Sequence, residues 1–336
     1  MATATTASDD GPRAKIGIIS LGDMGSGLAR LLTAKGYSVV TNCAGRSQDT
    51  IDRAQAVGAE LLPTDVALVD ACDVILSVVP PKEAVATAER IVAALSATKL
   101  LQRTSPLYLA DMNAVSPASV RNIAALFASS SSSSVYFIDG SILGGPPSLP
   151  EDGDPTAPVS EWYRPLLPTS GPHSLASIPG YGAHLAATLQ IKHIGPEIGA
   201  ASGLKMCFAS LSKGYAAIAV QAVTTARRLG VLDDLRDALQ TVMPANLARM
   251  DKAVVGMAPK AYRWVREMEE ISATHADEGG FQPELIFSGA ARVFQTVAED
   301  TVLGEEKVGR RKRGTTAEAI ADAMVEGIER KRKKTE

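Results

Sequence analysis

Three small residues near the N-terminus have the spacing of a phosphate-binding turn. Positions 15–32, KIGIISLGDMGSGLARLL, are typical of an apolar strand that turns into an apolar helix. In the turn G-x-G-x-x-G the first glycine permits the bend, the second admits a pyrophosphate, and the third lets helix and strand pack closely. Here Ser20 stands first, where a small residue suffices if its backbone angles are ordinary, and Gly22 and Gly25 follow. The residues predicted to surround an anion at the helix N-terminus are Ser20, Leu21, Gly22, Asp23, Met24 and Gly25. A plain strand-to-helix turn is the alternative.

The end of the next predicted strand distinguishes NAD from NADP. An NAD site has an Asp or Glu there to bind the ribose 2′-hydroxyl. This strand, YSVVTN, ends in Asn42, and the following AGRSQDT supplies Arg46, Ser47 and Thr50. A guanidinium and two hydroxyls suit a 2′-phosphate, which an acid would repel. The sequence therefore predicts NADP(H) as the cofactor.

Two further strand ends are predicted to border the same crevice. They are SVVPP at 77–81 and ADMNAVSP at 110–117. Ligands of open α/β sheets bind outside the carboxyl ends of the strands. Val79, Pro80 and Asn113 are therefore expected to contact the cofactor, although ordinary turn chemistry around proline explains the same residues.

The elements that must position these residues fall into two halves. Short β-branched runs alternate with helical stretches up to Gly199, which predicts βαβ units and a parallel, doubly wound α/β sheet. After Gly199 the pattern is all-α, beginning with a helix of about 29 residues ended by Gly230. Pro283 is expected at a first helical position, and Thr315 with Glu318 as a capping box.

These patterns divide the chain into a disordered leader (1–13), an NADP-binding domain (14–198) and a helical substrate and dimerisation domain (199–332). The serine run 129–134 is expected to be a loop. The segment from Gly144 to Pro172 is expected to be a long irregular connection, because it is rich in Pro, Gly and Ser.

Composition narrows the class of protein. The 336 residues are 46% hydrophobic and 21% charged with a formal net charge of −3, which favours no nucleic-acid or membrane partner. No apolar run in the sequence is long enough to predict a transmembrane helix. Three widely spaced cysteines predict neither disulfides nor a metal site and suit the reducing cytoplasm. Two basic runs, 310–313 and 330–334, are expected to be solvated; a nuclear address or a nucleic-acid patch is the alternative.

Five motifs in a fixed order resemble the β-hydroxyacid dehydrogenase superfamily, which includes 6-phosphogluconate dehydrogenase, hydroxyisobutyrate dehydrogenase and the imine reductases. They are LGDMGSGLARLL, the two crevice loops, IDGSILGGPP and GAASGLK. The resemblance is strongest to a branch with a phosphogluconate-dehydrogenase-like C-terminal domain, marked by GRSQDT and RWVREMEEI. It implies a Rossmann domain joined by a long interdomain helix to a helical domain. It also implies a homodimer whose partner completes the active-site cleft.

The resemblance also implies a catalytic residue, because Lys205 in GAASGLK matches the family's lysine. A lysine beside the cofactor can take the hydroxyl proton as hydride leaves, or protonate the alkoxide in the reverse reaction. Burial would lower its pKa into the working range. Spacing alone favours a lysine on the solvated face of an amphipathic helix; the resemblance favours catalysis.

Two departures from the family affect the expected substrate. Ala209 stands where the family's hydroxy-carboxylate enzymes have an asparagine, and Leu143 stands where D-x-x-x-S-G-G has its serine. Both lost groups bind the substrate carboxylate in the family, so a less polar pocket is expected. The residues expected to line it are Ser141, Leu143, Gly144, Gly145, Ala209, Ser212 and Lys213.

The predicted function is hydride transfer between NADP(H) and a small-molecule carbonyl or alcohol. Imine reduction is the first alternative, because IDGSILGGPP is also similar to imine reductases, although Lys205 argues against it. A non-catalytic NADP-binding regulator is the second. Arg266 with Glu269 or Glu270 is expected to form a surface ion pair, with a substrate clamp as the alternative. Roles for Tyr262 and His275 stay open.

Overall fold

The computed structural model describes residues 14–98, 105–128, 135–307 and 309–335. The predicted leader, 1–13, and the serine run, 129–134, lie outside them. The chain forms two compact units. The first contains the residues up to Asn113 and Ser119–Ser202, and the second contains Ala114–Ala118 and Gly203–Glu336.

One eight-stranded sheet forms the centre of the first unit. Its strands are β1 (Lys15–Ile19), β2 (Ser38–Asn42), β3 (Glu60–Leu62), β4 (Val74–Ser77), β5 (Leu107–Asp111), β6 (Val135–Gly140), β7 (Leu167–Ser170) and β8 (Ile191–Gly195). Their order is β3-β2-β1-β4-β5-β6-β7-β8, and all neighbours pair in parallel except β6 and β7. The predicted doubly wound sheet is confirmed, with one antiparallel step near its end.

Helices follow the strands of this unit. They are α1 (Asp23–Ala34), α2 (Gln48–Ala56), α3 (Asp65–Ala71), α4 (Ala84–Ala97), α5 (Pro117–Ala128) and α6 (Gly182–Leu189). Strands β1 and β4 are buried along almost their whole length, as is usual for central parallel strands covered on both faces. The order of β1, β2 and β4 creates a crevice where the strand order reverses, at the carboxyl ends of β1 and β4.

The irregular connection predicted for Gly144 to Pro172 is wrong in part. Strand β7 lies within it, and all four of its residues are buried. Only Asp139 and Gly140 of β6 pair with it, and β8 completes the ladder. A four-residue strand that contains Pro168 carries no local strand pattern, so distant partners determine it.

The second unit is helical, as predicted. Its helices are α7 (Ala200–Leu229, which begins in the first unit), α8 (Leu232–Val242), α9 (Pro244–Met257), α10 (Ala261–Asp277), α11 (Ile286–Gln295) and α12 (Ala317–Thr335). Gly230 ends α7 with a positive φ of 73°, which a glycine adopts without strain. A core that includes Met206, Val220, Met268 and Phe294 holds the helices together.

Two predicted helix starts are displaced. The hydroxyl of Thr316, not Thr315, accepts from the Ala319 N–H at 3.1 Å, so the cap of α12 lies one residue later than predicted. Pro283 lies before α11, and its carbonyl accepts from Ser272 at 2.6 Å. Two adjacent threonines offer the same cap signal, and tertiary packing selects between them.

One helix has the length and composition of a membrane span, in contrast to the expectation from the sequence. This is α7, and half of its most apolar stretch is buried inside the protein. Core helices of soluble proteins can have the same length and composition, so this is weak support for a membrane span.

Candidate functional site

The glycine turn joins β1 to α1 with an unusual backbone at its first position. Ser20 has a φ of 75°, in the left-handed region that favours glycine. The condition under which a small residue replaces the first glycine, an ordinary backbone angle, is therefore not met: the turn keeps the glycine geometry although the glycine is absent. A Cβ on Gly25 would lie 2.1 Å from the Ser20 carbonyl oxygen, whereas one on Gly22 would meet no heavy atom within 4 Å. Gly25 is thus needed for packing, and the space beside Gly22 fits an approaching pyrophosphate.

Side chains from two helices hold the turn in place. The Leu21 carbonyl accepts from Ser26 Oγ at 3.0 Å and from Arg53 Nε at 2.9 Å. The first turn of α1 also carries Asp23, which is exposed and acidic. Its charge suits the helix dipole but opposes a bound anion, so the backbone amides must outweigh it.

A crevice of about 360 Å³ opens beside this turn. The structure brings Ser20, Arg46, Val79 and Pro80, four of the residues predicted to contact the cofactor, together there with Asn42. It also adds lining residues that sequence reasoning missed: Asp65, Glu83, Thr87 and Arg90. Glu83, Thr87 and Arg90 are spaced by four and three residues at the start of α4. This helical spacing is the signal by which the sequence could have indicated them.

An ion pair inside the crevice lies beside the end of β2. Arg90 binds the Asp65 carboxylate, with its shortest contact at 2.8 Å, and the Asn42 amide donates to the same carboxylate at 2.7 Å. The side chain of Asn42, at the position where NAD enzymes have an acid, is therefore tied to a neutralised carboxylate.

The predicted 2′-phosphate residues lie at the start of α2. Arg46 and Ser47 are exposed, and Thr50 is buried. The hydroxyls of Ser47 and Thr50 lie 3.2 Å apart, and Arg53 donates to Thr50 at 3.1 Å. Arg53 is thus a second guanidinium at this end of the crevice, one that the sequence did not single out.

Asn113 is buried, and its polar atoms bind protein groups. Its Oδ1 accepts from the Val79 N–H at 2.7 Å, and its Nδ2 donates to Ser77 at 3.2 Å and to Asp111 at 3.0 Å. Burial raises the pKa of Asp111 to about 7, although the hydrogen bonds from Asn113 oppose the rise. Asn113 therefore links the end of β4 and the loop that follows it to the end of β5.

Asp139 of the IDGSILGG motif anchors the start of α7. Its carboxylate is fully buried and accepts from the backbone N–H of Gly199 at 2.8 Å and of Ser202 at 3.2 Å. It also accepts from the hydroxyls of Ser170 at 2.8 Å and Ser202 at 2.6 Å. The acid satisfies donors that a helix N-terminus leaves unpaired.

The predicted substrate residues of this motif differ in accessibility. Ser141 is buried, and its hydroxyl donates to the Ala201 carbonyl at 3.0 Å. Leu143 is half-buried and Gly144 is exposed. The Gly145 N–H donates to Tyr163 Oη at 3.0 Å. Leu143, Gly144 and Gly145 are the members of this group that a ligand can reach.

In the second unit Lys205 lies half-buried on α7. Burial, with a smaller contribution from Arg263, lowers the pKa of Lys205 to about 8. Ala209, one turn later, is buried in the core. Ser212 is exposed, and its hydroxyl bonds to carbonyls of its own helix. A lysine with this pKa exchanges its proton near neutral pH, as an acid/base must.

Lys213 is another predicted substrate residue, and it lies close enough to Lys205 for their charges to interact. It forms an ion pair with the buried Glu267 of α10 and lies 5.1 Å from the centroid of the Trp264 ring. Burial lowers the pKa of Lys213, and the cations of Lys205, Arg263 and Lys260 lower it further.

The residues left open on α10 separate clearly. Tyr262 is exposed, and His275 stacks on Phe287 at 4.8 Å. The surface ion pair expected for Arg266 holds for Glu269 but not for Glu270, which is buried. Glu270 binds Arg266 at 2.6 Å and accepts from the Ser116 N–H at 2.9 Å, so it fastens segment 114–118 to α10.

Metal and disulfide chemistry find no support in the described part of the chain. No group of three or more His, Cys, Asp or Glu side chains there could hold a metal ion. Cys43, Cys72 and Cys207 are not joined in disulfides.

Comparisons with known proteins agree with this architecture. A family model described as NADP oxidoreductase, coenzyme F420-dependent, matches residues 15–101, and a domain of unknown function, DUF1932, matches residues 226–297. An uncharacterised 28.5 kDa protein of Methanothermus fervidus is 24% identical over 265 residues, which cover 78% of this chain and 92% of that protein.

Two solved structures are similar over nearly the whole chain. A 3-hydroxyisobutyrate dehydrogenase of Salmonella typhimurium matches with a TM-score of 0.60 and 18% identity, covering 92% of this chain and 99% of its own. A reductive aminase of Aspergillus terreus, solved with NADPH4, cyclohexanone and allyl amine, matches with a TM-score of 0.50 and 17% identity, covering 92% and 98%. At these identities the comparisons establish the fold.

Proposed function

We propose, from the premise that this chain has the β-hydroxyacid dehydrogenase-like fold predicted from its sequence and confirmed by the comparisons, that it is an NADP-dependent oxidoreductase acting on a carbonyl or alcohol. The observation that carries this proposal is Lys205, a half-buried lysine whose pKa of about 8 suits proton transfer. In the reductive direction its ammonium donates the proton to the forming alkoxide. In the oxidative direction its neutral amine accepts the hydroxyl proton.

The crevice of the first unit is the proposed cofactor site, and bound NADP(H) would donate or accept hydride. The turn from Ser20 to Gly25 would hold the pyrophosphate with backbone amides, as the open space beside Gly22 allows. Arg46 and Ser47 would bind the 2′-phosphate, with Thr50 held in place by Arg53.

A homodimer is also proposed. On the same long helix that carries Lys205, five large apolar side chains are exposed, and four of them are Leu204, Phe208, Leu211 and Ile218. Their spacings of four, three and seven residues place them in one stripe. Covering that stripe with a second copy would remove apolar surface from water. A cytoplasmic location remains a prediction.

Imine reduction is the second candidate function. Leu143 offers no hydrogen bond to a carboxylate, and the similar reductive aminase was solved with a ketone and an amine. A regulator that binds NADP without turnover is the third.

The decisive experiment follows NADPH consumption with a panel of aldehydes, ketones, keto acids and cyclic imines. Lys205→Met is expected to lower carbonyl turnover by about 10²–10⁴-fold, the usual contribution of a positioned acid or base. Lys252→Met, at an exposed lysine of α9, is the matched control and should leave turnover unchanged. Imine turnover that survives Lys205→Met would move the protein to the imine reductases. NADPH binding without any turnover would favour the regulator.

The cofactor preference is tested separately. Arg46→Ala is expected to weaken NADPH binding by about 10–100-fold, because a charge-assisted contact contributes about 1.5–3 kcal/mol. NADH binding should not change. Equal losses for both cofactors would contradict the assignment of Arg46 to the 2′-phosphate.

A further inference from the structure

The cofactor crevice holds a carboxylate close to the place where NAD enzymes have one, although β2 does not supply it. Asp65 is the first residue of α3, and its Oδ1 accepts from Asn42 Nδ2 at 2.7 Å. Asn42 Oδ1 accepts in turn from the Ala44 N–H at 2.8 Å, so hydrogen bonds at both ends fix this amide. A carboxylate beside the end of this strand suits the 2′-hydroxyl of NAD and repels the 2′-phosphate of NADP. The charge of Asp65 therefore opposes the cofactor that Arg46 favours.

Arg90 of α4 neutralises this carboxylate. Its Nε and Nη2 atoms donate to both oxygens of Asp65, at distances between 2.8 and 3.0 Å. A bidentate pair of this kind is stronger than a single contact between charged groups. The Asp65 side chain is only 18% exposed and that of Arg90 is 52% exposed, so solvent screens the acid incompletely. Because the two charges cancel, the pair adds no net charge to the crevice.

The other charged residues that line the crevice leave Arg46 as the cation for a phosphate. Among the described lining residues the acids are Asp65 and Glu83, and the cations are Arg46 and Arg90. Glu83 lies 3.8 Å from Lys82 Nζ, and both of these side chains are exposed, so water and salt screen their charges. Since Arg90 is bound to Asp65, Arg46 is the lining cation that can meet a 2′-phosphate.

We propose that Arg90 determines the cofactor preference through Asp65. By neutralising that acid, Arg90 allows the 2′-phosphate to bind at Arg46, and without Arg90 the carboxylate would repel it. This inference rests on the proposed function and deepens its assignment of the cofactor. Arg90 is thus a specificity-determining residue that acts on another side chain rather than on the phosphate. The preference then depends on α3 and α4 as well as on the end of β2.

Two other roles of Arg90 lead to different expectations. If Arg90 bound the 2′-phosphate directly, its removal would weaken NADPH binding whether or not Asp65 carried a charge. If the ion pair only joined α3 to α4, its removal would lower the stability of the protein and affect NADPH and NADH equally. Neutralisation of Asp65 differs from both, because the effect then depends on the charge of Asp65 and is confined to the phosphorylated cofactor.

The experiment is isothermal titration calorimetry of the whole protein with NADPH and, separately, with NADH. Low ionic strength limits screening, and at pH 8 the 2′-phosphate is fully ionised. Arg90→Gln is expected to weaken NADPH binding by at least about tenfold and to leave NADH binding unchanged, because the carboxylate then faces the phosphate. Asp65→Asn is expected to tighten NADPH binding by a similar factor. The double variant should return the affinity for NADPH to that of the wild type.

Arg236→Gln is the matched control. Arg236 forms a similar bidentate pair with Asp251, at 2.6 and 3.0 Å, but it lies in the second unit. Its substitution should leave the affinities for both cofactors unchanged. A second series of titrations uses 2′,5′-ADP and 5′-AMP, which contain the adenosine half without the nicotinamide, and should show the same pattern. If Arg90→Gln fails to fold, Asp65→Asn still decides, since it must bind 2′,5′-ADP more tightly than the wild type does.

Each outcome decides the inference. A double variant that binds NADPH as weakly as Arg90→Gln would make Arg90 a direct ligand of the phosphate and overturn it. Equal losses for NADPH and NADH, or an unchanged affinity for NADPH in folded Arg90→Gln or Asp65→Asn, would also overturn it. A wild-type protein that binds neither cofactor would refute the proposed function as well. The expected pattern of binding without turnover of any substrate would refute the proposed function alone and leave the role of Arg90 standing.

Discussion

The cofactor crevice of the first unit and the surroundings of Lys213 in the second unit differ in the charges that lie next to one another. In the crevice Asp65 is bound by both Arg90 and Asn42. In the second unit Glu267 forms an ion pair with Lys213, and the cations of Lys205, Arg263 and Lys260 lower the pKa of that lysine. A balanced site can be stable when empty and bind through backbone amides and rim groups. Cations that lie near one another disfavour each other's charged forms, so the charge of the second site depends on pH.

In the cofactor crevice the largest loss of stability is expected from a substitution at Gly25. Gly25→Ala places a methyl group against the backbone of Ser20, so we expect a loss of about 3 kcal/mol or more in the free energy of unfolding. Gly22→Ala, which has open space, should unfold like the wild type in urea but bind NADPH at least about tenfold more weakly. Equal stability of the two variants would contradict the packing role of Gly25.

The electrostatic surroundings of Lys205 are tested by the pH dependence of turnover. Below about pH 8 Lys205 is protonated, so NADPH-driven reduction should be constant there and fall about tenfold per pH unit above it. Alcohol oxidation should rise with pH up to the same point. In Arg263→Gln the transition should move to higher pH, because Arg263 lowers the pKa of Lys205. An unchanged transition pH would show that Arg263 does not influence the pKa of Lys205.

Asp111 makes the free energy of unfolding of the protein depend on pH. Burial raises its pKa from 3.8 to about 7, so the folded state holds a proton that the unfolded state releases over that interval. Stability therefore falls as pH rises from about 4 to 7, by up to about 1.4 kcal/mol per pH unit. Urea unfolding of Asp111→Asn at several pH values should lack this component. An unchanged slope would exclude Asp111 as its source.

The smallest effect is expected at Ser20. Ser20→Gly relieves a left-handed φ that costs a serine about 1–2 kcal/mol, but glycine loses more backbone entropy on folding. A net gain of up to about 1 kcal/mol in the free energy of unfolding is expected. Gln190→Gly, at a φ of 55° after α6, should gain a similar amount without touching the crevice. A loss at Ser20 alone would indicate that its side chain supports the turn.

Sequence patterns predicted those parts of the fold that depend on local order. The turn from β1 to α1 and the length of α7 follow from apolar runs, glycine positions and a helix-ending Gly230. Strand β7 escaped prediction because its pairing comes from β6 and β8, far along the chain. The φ of Ser20 was also unpredictable, since the close approach of Gly25 to the Ser20 carbonyl belongs to the folded turn.

The candidate site divides in the same way. Gly22 and Arg46 could be found from motif positions next to a strand. The pair of Lys213 with Glu267 joins residues 54 positions apart in the chain, and helix packing determines it. Spacing on α10 shows that Arg263 and Glu267 share a face, but not which helix that face meets. The burial of Glu270 depends on its contact with segment 114–118, and no sequence pattern on α10 indicates that contact.

The buried carboxylate of Asp139 has a consequence for how related sequences can vary. It accepts from two hydroxyls, of Ser170 and Ser202, and from backbone N–H groups at the start of α7. A neutral or longer residue at 139 would leave those donors unsatisfied, and loss of either serine would leave the acid under-bonded. Substitutions at 139, 170 and 202 should therefore be inherited together. Lineages that change one of the three alone should be rare.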